Sequence, residues 1–382
     1  MKKVDIVHIY SGTSGTAGTY LAAIYDGLKE FYSQELIVNY FYPFSSGKKI
    51  FYKFTELAGT NFLKPVPLAR FFLRFLELFF ALLYSYFYII QKKPRYVNYS
   101  MTSNIYIEYI FLKLIKLSSS AKLIITCHDV MPNANSYSNL NKSIKKRRSF
   151  FNIADILLVH NANSKSDLIK GFDIPDSKII FHLFPIMDLS NFSNYEGKFI
   201  ANNTTTGDNT KILFIGHMRK EKGIELLLNA WFKAGLKKMH LTVAGNVPPG
   251  FSYSFEKVLN CNFTLIDDFL SDNDYINLIK KSDFVVLPYT GGTNSGIPSS
   301  IISLGSIPIV SNIPMFKNNE LLDSQLYFTA GSEESLSNKL TEISLLPKAE
   351  INQIRINLQD RYLSYQDLFK SSIQKAYKSL DQ

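Results

Sequence analysis

The chain has 382 residues, of which 42 are basic and 32 acidic, and its net charge at neutral pH is +10. This length exceeds one ordinary domain and suits two domains of about 180 residues each. The only two cysteines, Cys127 and Cys261, exclude a disulfide framework and a structural zinc site. They indicate a reducing compartment, and no signal peptide precedes the first apolar run, so we expect a cytoplasmic protein.

The chain begins with a strand and a glycine-rich turn. Residues 4–9 form an apolar run typical of a buried strand, and YSGTSGTAG places Gly12, Gly15 and Gly18 before a helix-like segment. A loop of this kind is weak evidence for a ligand, because tight strand-to-helix turns use glycine for geometry alone. The loop does not match G-x-G-x-x-G, and no acidic residue closes a second strand at the expected distance. The sequence therefore argues against an NAD-dependent enzyme.

Residues 68–90 are strongly apolar and aromatic, with Arg70, Arg74 and Glu77 interrupting the first half. A bilayer span needs about 20 mostly apolar residues without such charges, so we expect this segment not to cross a membrane. Two interpretations stay open, which are an aromatic core helix and a helix that lies at an anionic lipid surface. The cations that would meet lipid in the second case are Lys92, Lys93, Arg95, Lys145, Lys146, Arg147 and Arg148.

A buried strand is predicted at Lys122–Thr126, and His128 leaves its carboxyl end. A histidine there could donate to a hydroxyl of a bound substrate or to charge developing on a leaving oxygen. The alternative is that His128 only bonds loop backbone. A further strand, residues 156–160, precedes a helix with Asn161 and Ser164 as candidates for its cap.

Residues 190–209 are crowded with polar and turn residues, and their hydrophobic periodicity lapses. We therefore expect the domain boundary there, with a first domain over residues 1–190 and a second over residues 210–361. Residues 362–382 close the chain as a charged amphipathic helix.

The stretch from residue 211 to residue 231, KILFIGHMRKEKGIELLLNAW, predicts a strand, a turn at Gly216 and a helix. Arg219 and Lys222 come just before the helix, where unpaired N–H groups and the positive end of the helix dipole favour a phosphate or pyrophosphate. The alternative is a solvated surface turn.

Further apolar runs at residues 241–244, 263–266, 283–287 and 307–310 predict strands that alternate with helices. Such a pattern is typical of a doubly wound parallel sheet, whose ligands bind beyond the carboxyl ends of the strands. The loop at Gly216 and the loop at residues 294–296 should therefore open onto one rim. The D-x-D string at residues 272–274 follows Ser271 and predicts a helix cap rather than a metal site, so no metal is expected.

The motif G-x-M-R-x-E-K-G with LPYTGGTNSGI downstream resembles the nucleotide-sugar half of the family 4 glycosyltransferases, and TCHDVMP resembles their T-x-H-D-x-x-P. The resemblance implies the GT-B fold, with two Rossmann-like domains, a cleft between them and a last helix that crosses back to the first domain. It places the donor diphosphate on Arg219 and Lys222, and His128 as a further catalytic residue. It also implies that the Gly15 loop borders the acceptor and the donor phosphates.

The sequence departs from that family at two glutamates separated by seven residues, which most members use to contact the donor. The matching window holds Gly292 or Thr293 first and Ser300 or Ile301 second. A branch of bacterial polysaccharide-building members resembles this chain in having serine and glycine there. The resemblance then implies a donor site whose residues are Gly15, Gly216, Asn294, Ser295, Gly296, Ile297 and Ser300.

The function expected from this resemblance is a retaining glycosyltransferase that moves a hexose from a UDP- or GDP-sugar to a hydroxyl of a saccharide acceptor. The acceptor would be lipid-linked, in capsular, exopolysaccharide or O-antigen synthesis at the inner face of the plasma membrane. No cofactor is expected. Nucleic acid is not expected as a partner, because no recognition module appears. An inactive sugar-nucleotide-binding scaffold is the alternative, because the paired glutamates are missing, and an epimerase would need acid and base residues that the chain does not visibly supply.

Overall fold

The computed structural model shows two compact units, which are unit 1 (Met1–Pro185 and Asp367–Gln382) and unit 2 (Ile186–Gln366). The residues that the structure describes are 4–11, 16–39, 47–51, 67–100, 105–128, 130–131, 140–185, 209–248, 250, 252–253, 255–259, 261–291, 296–317 and 319–381.

Unit 1 is built on a parallel sheet of seven strands in the order β3-β2-β1-β4-β5-β6-β7. The strands are β1 (Ile6–Ile9), β2 (Gln34–Asn39), β3 (Lys48–Phe51), β4 (Tyr96–Ser100), β5 (Lys122–Thr126), β6 (Ile156–Val159) and β7 (Ile179–Phe181). Its helices up to the end of β7 are α1 (Thr16–Leu28), α2 (Pro67–Lys92), α3 (Ile105–Ser118), α4 (Leu140–Ile153) and α5 (Ala162–Phe172). Every residue of β1 and β4 is buried, as expected for strands covered by helices on both faces.

A line of polar side chains crosses the middle of this buried sheet. Thr126 donates to Asn98 Oδ1 at 3.1 Å, Asn98 donates to His8 Nδ1 at 3.1 Å, and His8 Nε2 donates to Gln34 Oε1 at 2.8 Å. The four residues come from β5, β4, β1 and β2, so the network joins neighbouring strands. Each of the four side chains has a hydrogen-bond partner within the buried sheet.

Unit 2 is built on a parallel sheet of six strands in the order β10-β9-β8-β11-β12-β13. The strands are β8 (Thr210–Ile215), β9 (Met239–Gly245), β10 (Phe263–Asp267), β11 (Phe284–Leu287), β12 (Ile307–Ser311) and β13 (Tyr327–Phe328). The helices that follow are α6 (Ile224–Ala234), α7 (Asp272–Lys280), α8 (Ile297–Ser303), α9 (Pro314–Lys317), α10 (Glu333–Ser344) and α11 (Lys348–Lys378). The prediction of an α/β protein with two Rossmann-like doubly wound sheets is confirmed.

Local signals in the sequence account for several of the helix boundaries. Asn161 caps α5 by accepting the N–H of Ser164 at 2.6 Å, so Asn161 is the cap and Ser164 belongs to the first turn. Ser271 caps α7 by accepting the N–H of Asp274 at 3.2 Å, as predicted for the D-x-D string. Within the described residues, no three His, Cys, Asp or Glu side chains are grouped to hold a metal ion.

The last helix, α11, begins at Lys348, earlier than the predicted residue 362, and it ends at Lys378. Its residues up to Gln366 belong to unit 2, and those from Asp367 belong to unit 1. At the chain end Asp381 accepts from Arg95 at 2.6 Å and from Tyr32 at 2.9 Å. These bonds attach the end of the chain to the sheet of unit 1.

Candidate functional site

The candidate site lies at the carboxyl ends of β8 and β11, which are parallel neighbours in unit 2. From β8 the chain winds outward through β9 and β10, whereas from β11 it winds in the other direction through β12 and β13. The order of the strands therefore reverses between β8 and β11. In doubly wound sheets the crevice beyond such a reversal is where ligands bind. The two loops predicted to bind phosphate leave the sheet at this point and on the same edge.

The first loop starts at Gly216, whose φ of 123° is in the region that favours glycine. The Gly216 N–H donates to the carbonyl of Ala244 at 2.9 Å, which holds the turn beside β9. Gly245 follows Ala244, and a Cβ on it would lie only 1.9 Å from the Gly216 carbonyl oxygen. The end of β9 therefore needs glycine in order to pack against the turn.

Arg219 directly precedes, and Lys222 ends, a single 3-10 turn, Lys220–Lys222, that comes before α6. The Arg219 side chain is 59% exposed, and its Nη1 lies 3.9 Å from Glu221 Oε1. Lys222 is partly buried, with its ammonium 3.7 Å from the centroid of the Tyr289 ring. Burial lowers the pKa of Lys222 to about 8, while Glu221 raises that pKa and Arg219 lowers it. One cation is thus open to solvent, and the other lies against an aromatic face.

The loop after β11 is joined to this turn by backbone contacts. The Thr290 N–H donates to the Glu221 carbonyl at 2.9 Å. Gly223 has a φ of 69°, and a Cβ at this position would be 1.8 Å from the carbonyl oxygen of Pro288. Only glycine allows the two loops to approach so closely. Tyr289, which follows Pro288, is buried, so the ring that lies against Lys222 is fixed within the core of unit 2.

The third part of the predicted donor site is the start of α8. Gly296 precedes the helix, and Ile297 is its first residue. The carbonyl of Gly296 accepts from the hydroxyls of Ser299 at 2.8 Å and Ser300 at 3.2 Å. Ser300 is buried, so its hydroxyl serves the first turn of α8, and its contact with a donor stays a prediction. Asn294 and Ser295 lie outside the described residues, as does Gly15 in the amino-terminal loop.

In unit 1, His128 lies two residues beyond β5 and belongs to a cluster of rings at the carboxyl edge of the sheet. The Tyr20 ring packs edge-on against His128 with centroids 4.5 Å apart, and His160 lies 5.6 Å from His128. His160 and His182 directly follow β6 and β7, so three neighbouring strands each place a histidine at this edge. The cluster is a candidate for the ligand-facing edge of unit 1, and His128 is its partly exposed member.

Hydrogen bonds fix the protonation of His182. Its Nδ1 lies 2.7 Å from the Leu183 carbonyl, which can only accept, so Nδ1 carries the proton. Nε2 therefore accepts from the Tyr20 hydroxyl at 2.8 Å. Burial lowers the pKa of His182 to about 4, and the pKa of His160 is well below its usual value because of burial and of the neighbouring histidines. These imidazoles are neutral at physiological pH.

Reasoning from the sequence missed Tyr289, Tyr20, His160 and His182. The sequence did contain a signal for the two histidines, because each is the first residue after an apolar strand. His128, which was predicted, has a similar position two residues after its strand. The tyrosines carried no such signal, since an aromatic residue in an apolar context predicts core. Both are indeed buried, but each lies directly against a predicted catalytic side chain.

Comparisons with known proteins agree with the architecture. No protein-family model matches the chain, and no curated protein sequence matches it either. Among solved structures, the chain is similar to a glycosyltransferase from Rickettsia africae ESF-5, with 14% identity, a TM-score of 0.69 and 100% of both chains covered. A sucrose-phosphate synthase from Thermosynechococcus elongatus shares 14% identity with a TM-score of 0.64 over 99% of both chains. Anabaena HepE, solved with UDP-glucose, shares 12% identity with a TM-score of 0.64 over 99% of both chains. At such identities these similarities show the fold, which is GT-B.

Proposed function

We propose that this protein is a glycosyltransferase that moves a hexose from a nucleotide diphosphate sugar to a hydroxyl of a saccharide acceptor. The observation that carries the proposal is the joined pair of loops at the point where the unit 2 sheet reverses its order. The first loop places two cations at the edge where doubly wound sheets bind phosphorylated ligands, and the second loop places the Tyr289 ring against one of them. Similarity to proteins solved with UDP and with UDP-glucose supports a nucleotide-sugar donor.

In this proposal Arg219 and Lys222 stabilise the diphosphate as it departs. The bond between the anomeric carbon and the diphosphate oxygen breaks, and a bond from that carbon to the acceptor oxygen forms. The acceptor proton passes to the phosphate oxygen of the leaving group, so no side chain need act as a nucleophile. Attack from the side of the leaving group retains the configuration. Charge grows on the diphosphate in the transition state, so the two cations contribute most there.

The site needs no bound metal in this mechanism, because the two cations Arg219 and Lys222 offset the charge of the diphosphate. The acceptor is proposed to be a lipid-linked saccharide at the cytoplasmic face of the membrane, in the synthesis of a surface polysaccharide. Two observations support a lipid-linked acceptor. They are the resemblance to polysaccharide-building enzymes and the basic, aromatic surface of unit 1.

Turnover of several donors, followed as release of free nucleotide, tests the proposal. Arg219→Ala should lower turnover about a hundredfold if the guanidinium meets developing charge. Lys220→Ala is the matched control, because it removes an adjacent exposed cation from the same turn. Equal turnover in both variants would remove the assigned role of Arg219. Calorimetric titration with UDP and with GDP would identify the base.

A second candidate function follows from the missing pair of glutamates. The corresponding window has no carboxylate, and Ser300 within it is bonded to Gly296. A protein of this kind could hold a sugar nucleotide without transferring the sugar. Donor binding without nucleotide release, across a panel of donors and saccharide acceptors, would favour this scaffold.

A further inference from the structure

Helix α2 carries apolar side chains on two faces, and only one of them is used by the core. Ala81, Leu82 and Ile89 are buried in the core of unit 1. The other face is open to solvent along the helix, and its exposed members are Leu68, Phe72, Phe75, Phe79, Leu83 and Phe87. They recur at a spacing of three or four residues and form a stripe about 28 Å long at 1.5 Å per residue. Exposed apolar stripes of this size mark interaction sites.

The stripe continues onto α3, which packs against α2. Exposed Tyr106, Ile110, Leu114 and Leu117 follow one another along α3 at the same helical spacing. We call the exposed side chains of α2 and α3 together the aromatic face. Because α2 and α3 connect strands in the same direction across the sheet, right-handed crossovers place both helices on one side of it.

The helices that carry and border the aromatic face are rich in cations. Helices α2, α3 and α4 contain ten cationic and two acidic residues, a net charge of +8, which is most of the +10 of the whole chain. The two acids within these helices, Glu77 and Glu108, are buried. Acids from other elements pair with three of the ten cations, which are Lys92, Lys116 and Arg148. Lys113 on α3 and Lys145 on α4 are exposed, and the Lys146 ammonium lies 5.2 Å from the centroid of the exposed Tyr106 ring. Cations therefore border and enter the apolar surface.

Several of the basic residues predicted to meet lipid are engaged within the protein. Arg95 is paired with Asp381, as described above. Arg147 is buried, and its Nη1 donates to the Val130 carbonyl at 3.0 Å. Arg148 is paired with Asp173 at 2.9 Å. Lys145 and Lys146 remain exposed on α4, and Lys146 lies against the exposed Tyr106 ring, so these two are the cations whose replacement tests the charge contribution.

We propose that the aromatic face docks the protein on an anionic lipid bilayer, with α2 lying along the interface and its exposed phenylalanines inserted between the lipids. An amphipathic helix with aromatic residues on one side and cations at its border binds such a surface through apolar burial and charge together. A second copy of the chain fits less well, because a symmetric dimer would place the exposed cations beside one aromatic face, Lys113, Lys145 and Lys146, against the same cations of the other copy.

Helix α2 is also long and apolar enough, over Phe71–Lys92, to cross a membrane by length and composition alone. Its buried face argues for docking instead, since Ala81, Leu82 and Ile89 would have to leave the core of unit 1 if the helix were to cross. Alkaline carbonate washing of membranes separates these cases: a docked protein is released, and a spanning one is retained. Retention would overturn the proposal.

Co-sedimentation of the full chain with lipid vesicles, without donor or acceptor, tests docking independently of glycosyl transfer. Binding is expected to vesicles of equal parts phosphatidylcholine and phosphatidylglycerol, and little to phosphatidylcholine alone. The variant Phe72→Ser, Phe79→Ser, Phe87→Ser, whose side chains are 46–62% exposed, should reduce partitioning at least about a hundredfold. The control Phe232→Ser, Leu345→Ser, Ile356→Ser removes apolar side chains that are 53–78% exposed in unit 2, and it should bind like the wild type.

The charge contribution has its own pair of variants. Lys145→Gln with Lys146→Gln should weaken partitioning about thirtyfold, since each cation near an anionic surface contributes about 1 kcal/mol. Lys237→Gln with Lys238→Gln removes the same charge from exposed positions in unit 2 and should have little effect. Equal losses in both pairs would show that net charge alone acts and would overturn the proposed surface.

Insertion can be observed directly, because the only tryptophan of the chain, Trp231, is buried in unit 2. Lipids that carry bromine on the acyl chain close to the headgroup should quench the tryptophan fluorescence of the Phe79→Trp variant. They should leave the fluorescence of the wild-type protein unchanged. This substitution is conservative and keeps the measurement valid if the triple variant fails to fold. Unquenched Phe79→Trp on bound vesicles, or a wild-type dimer that dissociates when the three phenylalanines are replaced, would contradict docking on lipid.

Discussion

Replacing Gly223 with alanine should separate the two loops of the candidate site. The φ of 69° costs an L residue about 1–2 kcal/mol. The new Cβ would be 1.8 Å from the Pro288 carbonyl oxygen, whereas real contacts of this kind are not shorter than 3.0 Å. The Pro288 carbonyl must therefore retreat by about 1.2 Å, and Tyr289, next in the chain, must move with it. A displacement of about 1 Å in a reacting geometry costs about a hundredfold in rate.

Gly235 provides the matched control at the other end of α6. Its φ of 58° is similar, but a Cβ there would meet nothing within 4 Å. Gly235→Ala should therefore lose only the conformational energy of about 1–2 kcal/mol and keep donor affinity and turnover. Thermal unfolding, calorimetric titration with UDP and GDP, and nucleotide release should be measured for both variants. If both lose the same stability and both keep turnover, the contact between the loops has no role in the site.

Two further predictions concern protonation. Because the pKa of Lys222 is lowered to about 8, binding of a diphosphate near pH 9 should take up a proton, and titrations in buffers of different ionisation enthalpy will measure it. Lys222→Arg should abolish this uptake, and uptake that persists in the variant would assign the proton to another group. Burial lowers the pKa values of His8 and His182 to about 4, so between pH 6.5 and 4 the unfolded chain binds protons that the folded chain does not. The free energy of unfolding should therefore decrease as the pH is lowered from 6.5 to 4, by up to about 3 kcal/mol for each histidine. Thermal unfolding of His8→Gln should show a smaller dependence of stability on pH. An unchanged slope would mean that the imidazole of His8 is not the group that titrates.

The strands that carry the two sheets were predictable because buried parallel strands leave continuous apolar runs in the sequence. Lys122–Thr126 was predicted with the bounds that the structure shows, and residues 241–244 lie within β9. The caps at Asn161 and Ser271 were predictable for the same reason, since a cap depends on a few neighbouring residues. The length of α11 was not, because its amino-terminal half has weak periodicity and its extent is set by packing on unit 2.

The candidate site likewise combines features that were predictable from short segments with contacts that were not. Arg219, Lys222 and Gly216 were predictable, because glycine and paired cations between a strand and a helix are a local pattern. The contact of Lys222 with Tyr289 was not, since they are 67 positions apart in the chain and only the pairing of β8 with β11 brings them together. The same holds for the contact of Gly223 with Pro288, which makes glycine necessary there.

The sequence by itself determined the alternation of strands and helices, the glycine turn with its two cations, and the unusual aromatic character of residues 68–90. Only the tertiary structure decided which partner each of these groups meets. Periodicity shows that a helix is apolar on two sides, but burial by the sheet decides which side faces the core, and for α2 it left the phenylalanine stripe outside. Local chemistry is encoded by residues close in the chain, whereas contacts across a parallel sheet depend on strand order, which no short segment contains.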